Sequence, residues 1–239
     1  MRATAIVPAA GQGLRLGTAV KKQYLPLRGI PVLARTLIQL GRTPGIARLV
    51  VAVPPGEEAW VQGAILARLR LAIEVELVPG GADRQESVFL ALGRARAEAD
   101  LVVVHDGVRP FVSPELVWAV LAAAGEGGAA TAALPVTDTI KLTDGAGGFR
   151  ETLPRARLWA IQTPQAFQRT LLSEAHERAR RDGVRATDDC ALVERLGHAV
   201  LSVPGSPRNL KVTTVEDLAL AEFFLGTWAD GDDAGRHWR

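Results

Sequence analysis

Two stretches of the chain carry residue types that can handle phosphates. The first is Pro8-Ala9-Ala10-Gly11-Gln12-Gly13-Leu14-Arg15-Leu16-Gly17, directly after an apolar run. Small residues let a phosphate chain approach the backbone, and consecutive amides in a tight turn form an anion nest. The glycines are spaced G-x-G-x-x-x-G, one residue longer than the dinucleotide fingerprint. No acid follows about twenty residues on and no G-K-[ST] appears, so neither a dinucleotide site nor a Walker loop fits. Arg15 and Lys22 lie close behind as two cations suited to a triphosphate. A plain βα turn with surface cations is the bland reading of the same residues.

The second stretch is Val103-Val104-His105-Asp106-Gly107-Val108-Arg109-Pro110. An aspartate at the end of an apolar strand is there either to bond loop amides or to hold a metal. Beside phosphates the expected ion is Mg²⁺, held by one or two carboxylates and the nucleotide itself. Asp106 is that candidate ligand, and Arg109 suits either a substrate phosphate or a carboxylate partner. His105 reads as a satisfied core residue, because no second histidine lies at ligand spacing. Gly80-Gly81-Ala82-Asp83-Arg84-Gln85-Glu86-Ser87 can line a base pocket through backbone groups and the Ser87 hydroxyl. Lys211, within Asn209-Leu210-Lys211-Val212-Thr213, stands just before a capped helix, a place that also suits an anion.

Other chemistries are absent from the pattern. There is no Ser-His-Asp order, no H-E-x-x-H and no carboxylate pair in a glycosidase-like context. Cys190 is the single cysteine, which excludes an internal disulfide and a cysteine-based metal site. Basic residues total 28 and acidic ones 26, with no basic tract and one tyrosine, so a nucleic-acid binder is disfavoured. Only four of the 28 are lysines: Lys21, Lys22, Lys141 and Lys211. Such a bias retains lysine where a compact ammonium is preferred to a planar fork, or by drift.

The elements that must position these residues alternate. Apolar runs at Thr4–Pro8, Leu49–Pro54, Ile73–Val78, Leu101–His105 and Ala130–Pro135 predict strands. Helical patterns at Pro31–Arg42, Glu57–Leu69, Arg84–Ala97 and Pro114–Ala124 lie between them, the last opened by a Ser113-Pro114-Glu115 cap. Continuous apolar strands separated by helices predict an α/β fold with a mostly parallel sheet and helices on both faces. Ligands in such folds bind at the carboxyl ends of the strands. From about 137 to 156 the alternation breaks into a polar, Gly-rich arm. Asp144-Gly145 and Gly147-Gly148 predict a hairpin turn between Thr139–Leu142 and Phe149–Leu153.

A strand at Leu158–Gln162, helices near Gln168–Arg181 and Asp188–Leu196, a strand at Ala199–Val203 and a helix at Val215–Leu225 follow, with Thr213-x-x-Glu216 as a capping box. Residues 1–228 read as one domain, and Ala229–Arg239 as a frayed tail. The longest uncharged apolar runs fall short of the roughly 18 residues of a membrane span. The expectation is a soluble, cytoplasmic protein with no membrane partner.

The ordered motifs resemble a known family. P-A-A-G-x-G-x-R at Pro8–Arg15, K-Q-Y-L at Lys22–Leu25, G-G-x-x-R-x-x-S at Gly80–Ser87 and H-D-x-x-R-P at His105–Pro110 come first. D-T-I-K at Asp138–Lys141, L-W-x-x-Q-T-P-Q at Leu158–Gln165, T-D-D at Thr187–Asp189 and N-L-K-V-T at Asn209–Thr213 complete the set. The chain resembles the 2-C-methyl-D-erythritol 4-phosphate cytidylyltransferases of the non-mevalonate isoprenoid pathway over about residues 3–225. The ribitol-phosphate cytidylyltransferases share most of these motifs. The resemblance implies a Rossmann-like nucleotidyltransferase fold, CTP, methylerythritol phosphate and Mg²⁺ as ligands, and a homodimer joined through the arm.

Carried over, Arg15 and Lys22 stabilise the transition state at the CTP phosphates. Ala9, Ala10, Gly11, Gln12, Gly13, Gly81, Ala82 and Ser87 line the cytidine side, and Asp106 sits by the metal and α-phosphate. Arg109, Thr139, Arg155, Thr163 and Lys211 hold the sugar phosphate, Arg155 and Lys211 acting in catalysis. Two positions depart from the pattern. Arg208 stands where an acid often precedes the asparagine, and Ala82 replaces a frequent aspartate. A non-catalytic nucleotide-binding module is the alternative of another class, and it predicts missing cations or a missing metal carboxylate. Arg15, Lys22 and Asp106 are all present.

Overall fold

A computed structural model describes residues 2–11, 20–95, 99–227 and 233–239. The first half runs β1 (Ala3–Pro8), β2 (Pro26–Leu27), β3 (Ile30–Pro31), α1 (Val32–Gly41), β4 (Ile46–Val53), α2 (Glu58–Ala64), β5 (Glu74–Pro79), α3 (Arg84–Leu92) and β6 (Leu101–Val104). Then come α4 (Pro114–Gly127), β7 (Ala129–Pro135), β8 (Lys141–Thr143), β9 (Phe149–Thr152) and β10 (Trp159–Gln168). The chain closes with α5 (Arg169–Arg181), α6 (Asp189–Arg195), β11 (Leu201–Pro204) and α7 (Val215–Thr227). Seven strands form one sheet in the order β11-β7-β10-β6-β1-β4-β5. All its pairings are parallel except those of β10, which is antiparallel to both β6 and β7.

Alternation along the strands splits the core in two. Ala5 and Val7 of β1, Leu49 and Val51 of β4 and Val103 of β6 face α1, α2 and α4. Their neighbours Ile6, Val50, Val102 and Val104 face α3, α5 and α6. These strands read as unbroken apolar runs because both faces are covered. A smaller cluster of Leu27, Val32, Phe111, Val212, Ala221 and Leu225 seats α7. From β1 the chain winds through β4 and β5, then crosses back to β6 on the other side of β1. That reversal opens a crevice at the strand ends, where ligands of such sheets bind.

Several expectations change in detail: the helix foreseen at Glu57–Leu69 ends at Ala64 and gives way to a 3-10 turn at Leu66–Arg68, and the one opening at Arg84 ends at Leu92. The strand foreseen at Leu158–Gln162 extends to Gln168, and its pairing with β7 skips from Ile161 to Gln165. Pro164, which has no N–H to donate, falls in that gap. The cap of α7 sits one residue later than Thr213-x-x-Glu216. Asp217 Oδ2 accepts from the Thr214 N–H at 2.9 Å, and Thr214 Oγ1 accepts from the Asp217 N–H at 3.2 Å. Asp217 Oδ2 also accepts from the Thr213 N–H at 2.8 Å and the Thr213 hydroxyl at 2.7 Å, so one carboxylate ties both threonines.

At the C terminus, residues 233–239 are docked rather than frayed. Asp233–His237 form a short 3-10 helix, Ala234 is buried, and Trp238 bridges to Leu69 with the Arg68 guanidinium 4.4 Å from its ring centre.

The arm is a hairpin of β8 and β9, with Asp144 Oδ1 accepting from the N–H groups of Ala146 (2.8 Å) and Gly148 (2.9 Å) in its turn. Every residue of both strands is exposed, Phe149 to 73%.

Candidate active site

Two clefts open side by side at the carboxyl ends of the strands. The first, of about 610 Å³, is lined by Ala9, Ala10 and Gly11 after β1 and by Gly80, Gly81, Ala82, Asp83 and Ser87 after β5. Lys22 and Gln23 close it on one side. Gln12, Gly13 and Arg15 lie outside the described residues. The loop after β1 is tied down from below: buried Gln23 donates through Nε2 to the carbonyls of Ala9 (2.8 Å) and Gly11 (3.1 Å). Glu57 anchors both flanks of Lys22, pairing with Lys21 and accepting from the Tyr24 hydroxyl at 2.9 Å. Lys22 is therefore carried by a short, fixed 3-10 turn rather than by a free loop.

The loop after β5 is shaped by its own side chains. Asp83 caps α3 by accepting from the Glu86 N–H at 2.8 Å, and Glu86 accepts from the Ala82 N–H at 2.8 Å. Ser87 donates to the Asp83 carbonyl at 2.7 Å and accepts from the Gly81 N–H at 3.1 Å, so its hydroxyl holds the loop while lining the cleft. A Cβ on Gly80 would stand 2.2 Å from the Cβ of Ala10 and 3.2 Å from the Val53 carbonyl. Gly80 thus sets how closely the two loops approach. Gly80→Ala is expected to cost about 1–3 kcal/mol of stability by overpacking. It should also change how closely the two loops approach across the cleft; denaturant unfolding and a nucleoside triphosphate titration check both.

The second cleft, of about 500 Å³, is lined by Arg109, Thr131, Trp159, Gln162, Thr163, Gln165 and Asp188, among others. Arg84, Asp106 and Lys211 line both clefts and form the wall between them. Asp106 follows β6 and is 5% exposed. Its Oδ1 accepts from Arg84 Nε at 3.0 Å, and its Oδ2 lies 2.8 Å from Lys211 Nζ and 3.7 Å from Arg109 Nε. Burial by itself would raise the carboxyl pKa. Arg84, Lys211 and Arg109 together outweigh it and hold Asp106 well below the usual carboxylate range.

The backbone N–H of Asp106 donates to Thr163 Oγ1 at 3.0 Å. Asn209, fully buried, donates to the Thr163 carbonyl at 2.7 Å, and its own carbonyl accepts from Arg109 Nη1 at 2.6 Å. That bond pins the loop that delivers Lys211. His105 is fully buried, with Nε2 3.1 Å from the Arg109 carbonyl. Burial pushes its pKa down to about 4, so the ring is neutral at pH 7 and serves the core. Cys190 also borders the second cleft, but burial pushes its thiol pKa up and leaves it a packing residue.

The fold therefore brings together Lys22, Asp106, Arg109, Thr163 and Lys211 with the two loops. It does not bring Thr139 or Arg155 to either cleft. Thr139 is exposed on the arm, and exposed Arg155 donates through Nη1 to the Thr137 carbonyl at 2.9 Å. The sequence reading gave no role to Arg84, which the structure puts at the centre. Only its place was legible, as the first residue after the Asp83 cap, on the helix face of Ser87 three residues on; its partners were not.

Comparison with known proteins agrees with this geometry. The family model described as 2-C-methyl-D-erythritol 4-phosphate cytidylyltransferase matches residues 3–227. The enzyme of that name from Desulforamulus reducens is 47% identical over 92% of this chain and 94% of its own. A crystal structure of the Thermus thermophilus enzyme of that name covers 94% of this chain and 98% of its own, at 38% identity and a TM-score of 0.76. The Anaerococcus prevotii 4-diphosphocytidyl-2C-methyl-D-erythritol synthase superposes with a TM-score of 0.83 at 30% identity, over 94% of this chain and 96% of that one. On the match along nearly its whole length, the chain belongs to the 2-C-methyl-D-erythritol 4-phosphate cytidylyltransferase family.

Proposed function

We propose that the chain transfers CMP from CTP to 2-C-methyl-D-erythritol 4-phosphate, giving 4-diphosphocytidyl-2-C-methyl-D-erythritol and pyrophosphate. The observation that carries this reading is the shared wall: two anion-suited clefts meet at Asp106, Arg84 and Lys211. CTP takes the cleft between the two small-residue loops, with Lys22 on its phosphates; Arg15, outside the described residues, has its role there from the family resemblance alone. The acceptor takes the other, with Arg109, Thr163 and Lys211 on its phosphate.

A phosphate oxygen of the acceptor forms a bond to the α-phosphorus of CTP, and the bond from that phosphorus to the bridging β-phosphate oxygen breaks. The nucleophile is already anionic at neutral pH, so the step needs no general base; the wall's carboxylate, Asp106, is itself paired with Arg84 and Lys211. The obstacle is bringing anions together. Positioning and cations aimed at the developing charge overcome it.

A divalent cation suits the donor set in one way. Among the described residues no group of three His, Cys, Asp or Glu side chains converges. Asp106 alone offers an ionised carboxylate at the wall, and Mg²⁺ commonly takes one or two carboxylates with phosphate oxygens and waters. Asp106 would hold Mg²⁺ there, and the bound ion would neutralise triphosphate charge. Arg208, exposed, supplies no second carboxylate.

The arm supports a homodimer reading. An isolated two-stranded hairpin is marginal in water, and this one exposes Leu142 and Phe149. No helix among the described residues is long and apolar enough to cross a membrane. CTP is highly charged and intracellular chemistry supplies it, which favours a cytoplasmic site of action.

Pyrophosphate release tests the reaction. ATP, GTP, UTP and CTP are each paired with methylerythritol phosphate and with ribitol phosphate. Release is expected from CTP with methylerythritol phosphate. Preference for ribitol phosphate would move the reading to that cytidylyltransferase group, and no release from any pair would leave only a binding module.

A further inference from the structure

The Thr187-Asp188-Asp189 segment has no part in the mechanism above, yet it anchors the wall from behind. Asp189 opens α6, is 1% exposed and lines neither cleft. Its Oδ2 accepts from Arg84 Nη1 at 2.7 Å, and its Oδ1 lies 2.9 Å from Nε2 of buried His176. Arg84 Nε in turn donates to Asp106 at 3.0 Å. Asp188 fixes the segment itself, capping α6 through the Ala191 N–H (3.1 Å) and accepting from Gln165 Nε2 of β10 (2.9 Å).

The geometry of a guanidinium makes this arrangement informative. Its nitrogens form a rigid planar fork, so two carboxylates on different nitrogens fix both its position and its plane. Asp189 and Asp106 grip Arg84 on Nη1 and Nε, and the third nitrogen, Nη2, is buried without a protein partner. Held by Asp106 alone, the fork could pivot about that one contact. Burial argues against an ionised Asp189, but Arg84 and His176 outweigh it and keep its pKa below the ordinary value.

We propose that Asp189 is a positioning residue for cytidylyl transfer: it holds Arg84 across the wall between the clefts, and through Arg84 it fixes the Asp106 carboxylate where the two substrates meet. The inference rests on the reading of Asp106 as a site residue. Asp189 touches neither substrate, so its effect passes through Arg84 and falls on the transfer step. CTP recognition by the loops after β1 and β5 stays outside its reach.

The test is steady-state pyrophosphate release from CTP and methylerythritol phosphate by Asp189→Asn, Arg84→Lys, their double variant and Asp106→Asn, with circular dichroism as the folding check. Asp189→Asn keeps an acceptor and loses the charge; Arg84→Lys keeps the charge and loses the fork. Each is expected to lower kcat about tenfold with KM for CTP within about threefold. The double variant should fall no further than the worse single one, because both remove one arrangement.

If folded Asp189→Asn and Arg84→Lys both keep kcat within about twofold while Asp106→Asn is impaired, the positioning role is overturned and the site reading stands. Losses that multiply in the double variant overturn it too. Full activity of Asp106→Asn overturns the reading of Asp106 and this inference with it. Should Asp189→Asn fail to fold, Arg84→Lys alone decides by its kcat: a tenfold loss at unchanged KM supports the proposal, and parent-like turnover overturns it.

Discussion

Lys22→Ala is expected to lower kcat on the order of 10²–10³-fold, roughly 3–4 kcal/mol of transition-state stabilisation, with a milder loss of CTP binding. The side chain lines the nucleotide cleft beside Ala9, Ala10 and Gly11. Its backbone is held independently, by Gln23 on the Ala9 and Gly11 carbonyls and by Glu57 on Lys21 and Tyr24. Truncation removes an ammonium while those bonds remain, so the rate of the folded variant reads the chemistry of the side chain. The charge on the triphosphate grows at the leaving pyrophosphate as the bond to the α-phosphorus breaks. A cation aimed there binds the transition state more strongly than the ground state, which is why kcat carries most of the loss. Rapid-quench and steady-state kinetics on the folded variant measure it, and a kcat within about threefold of the parent rejects the role. Lys22→Arg is expected to restore part of the rate, since a fork replaces a compact point charge.

The site was legible where chemistry and element ends coincide. Asp106 could be singled out because a carboxylate at the end of an apolar strand is unusual, but its partners, the Arg84, Lys211 and Arg109 cations rather than loop amides, could not. The loop after β1 could be read because small residues cluster at another strand end. Arg84 could not, since its partners Asp106 and Asp189 stand 22 and 105 positions away in the chain. Charge pairs between distant elements leave no local periodicity. Gln23 was missed for the same reason: its two bonds run to carbonyls of another loop.

The fold shows the same division. The parallel strands announce themselves by unbroken apolar runs covered on both faces. The far half of β10, Thr163-Pro164-Gln165-Ala166-Phe167-Gln168, is polar and contains a proline, a pattern that argues against an interior strand. It is tolerated because Pro164 lies in the gap in the β7 pairing, and because Gln162 and Gln165 spend their amides on Ser206 and Asp188. The docked tail was invisible in turn. Ala234 joins the core on the α1 face and Trp238 packs beside the Arg68–Leu69 segment, partners that nothing in Ala229–Arg239 itself announces.

Arg155→Ala alone is expected to abolish activity, and mixing it with Lys22→Ala is expected to bring activity back. Arg155 and Thr139 flank the arm and reach neither cleft of their own chain, while the family resemblance gives both a role at the acceptor phosphate. An exposed arm needs a surface to pack on, and a twofold partner is the commonest way to supply one. The two facts meet if the arm carries Arg155 into the partner's second cleft. Consider a dimer of one Lys22→Ala chain and one Arg155→Ala chain. Acting in trans, one of its two sites joins an intact Lys22 to an intact Arg155, and the other joins the two substituted positions. Acting in cis, both sites are broken. After denaturation, equal mixing and refolding, half the dimers are mixed, so the trans arrangement gives about a quarter of wild-type activity. With subunit exchange confirmed by mass, recovery no greater than the mean of the two parents assigns Arg155 to its own chain and removes the arm from the active site.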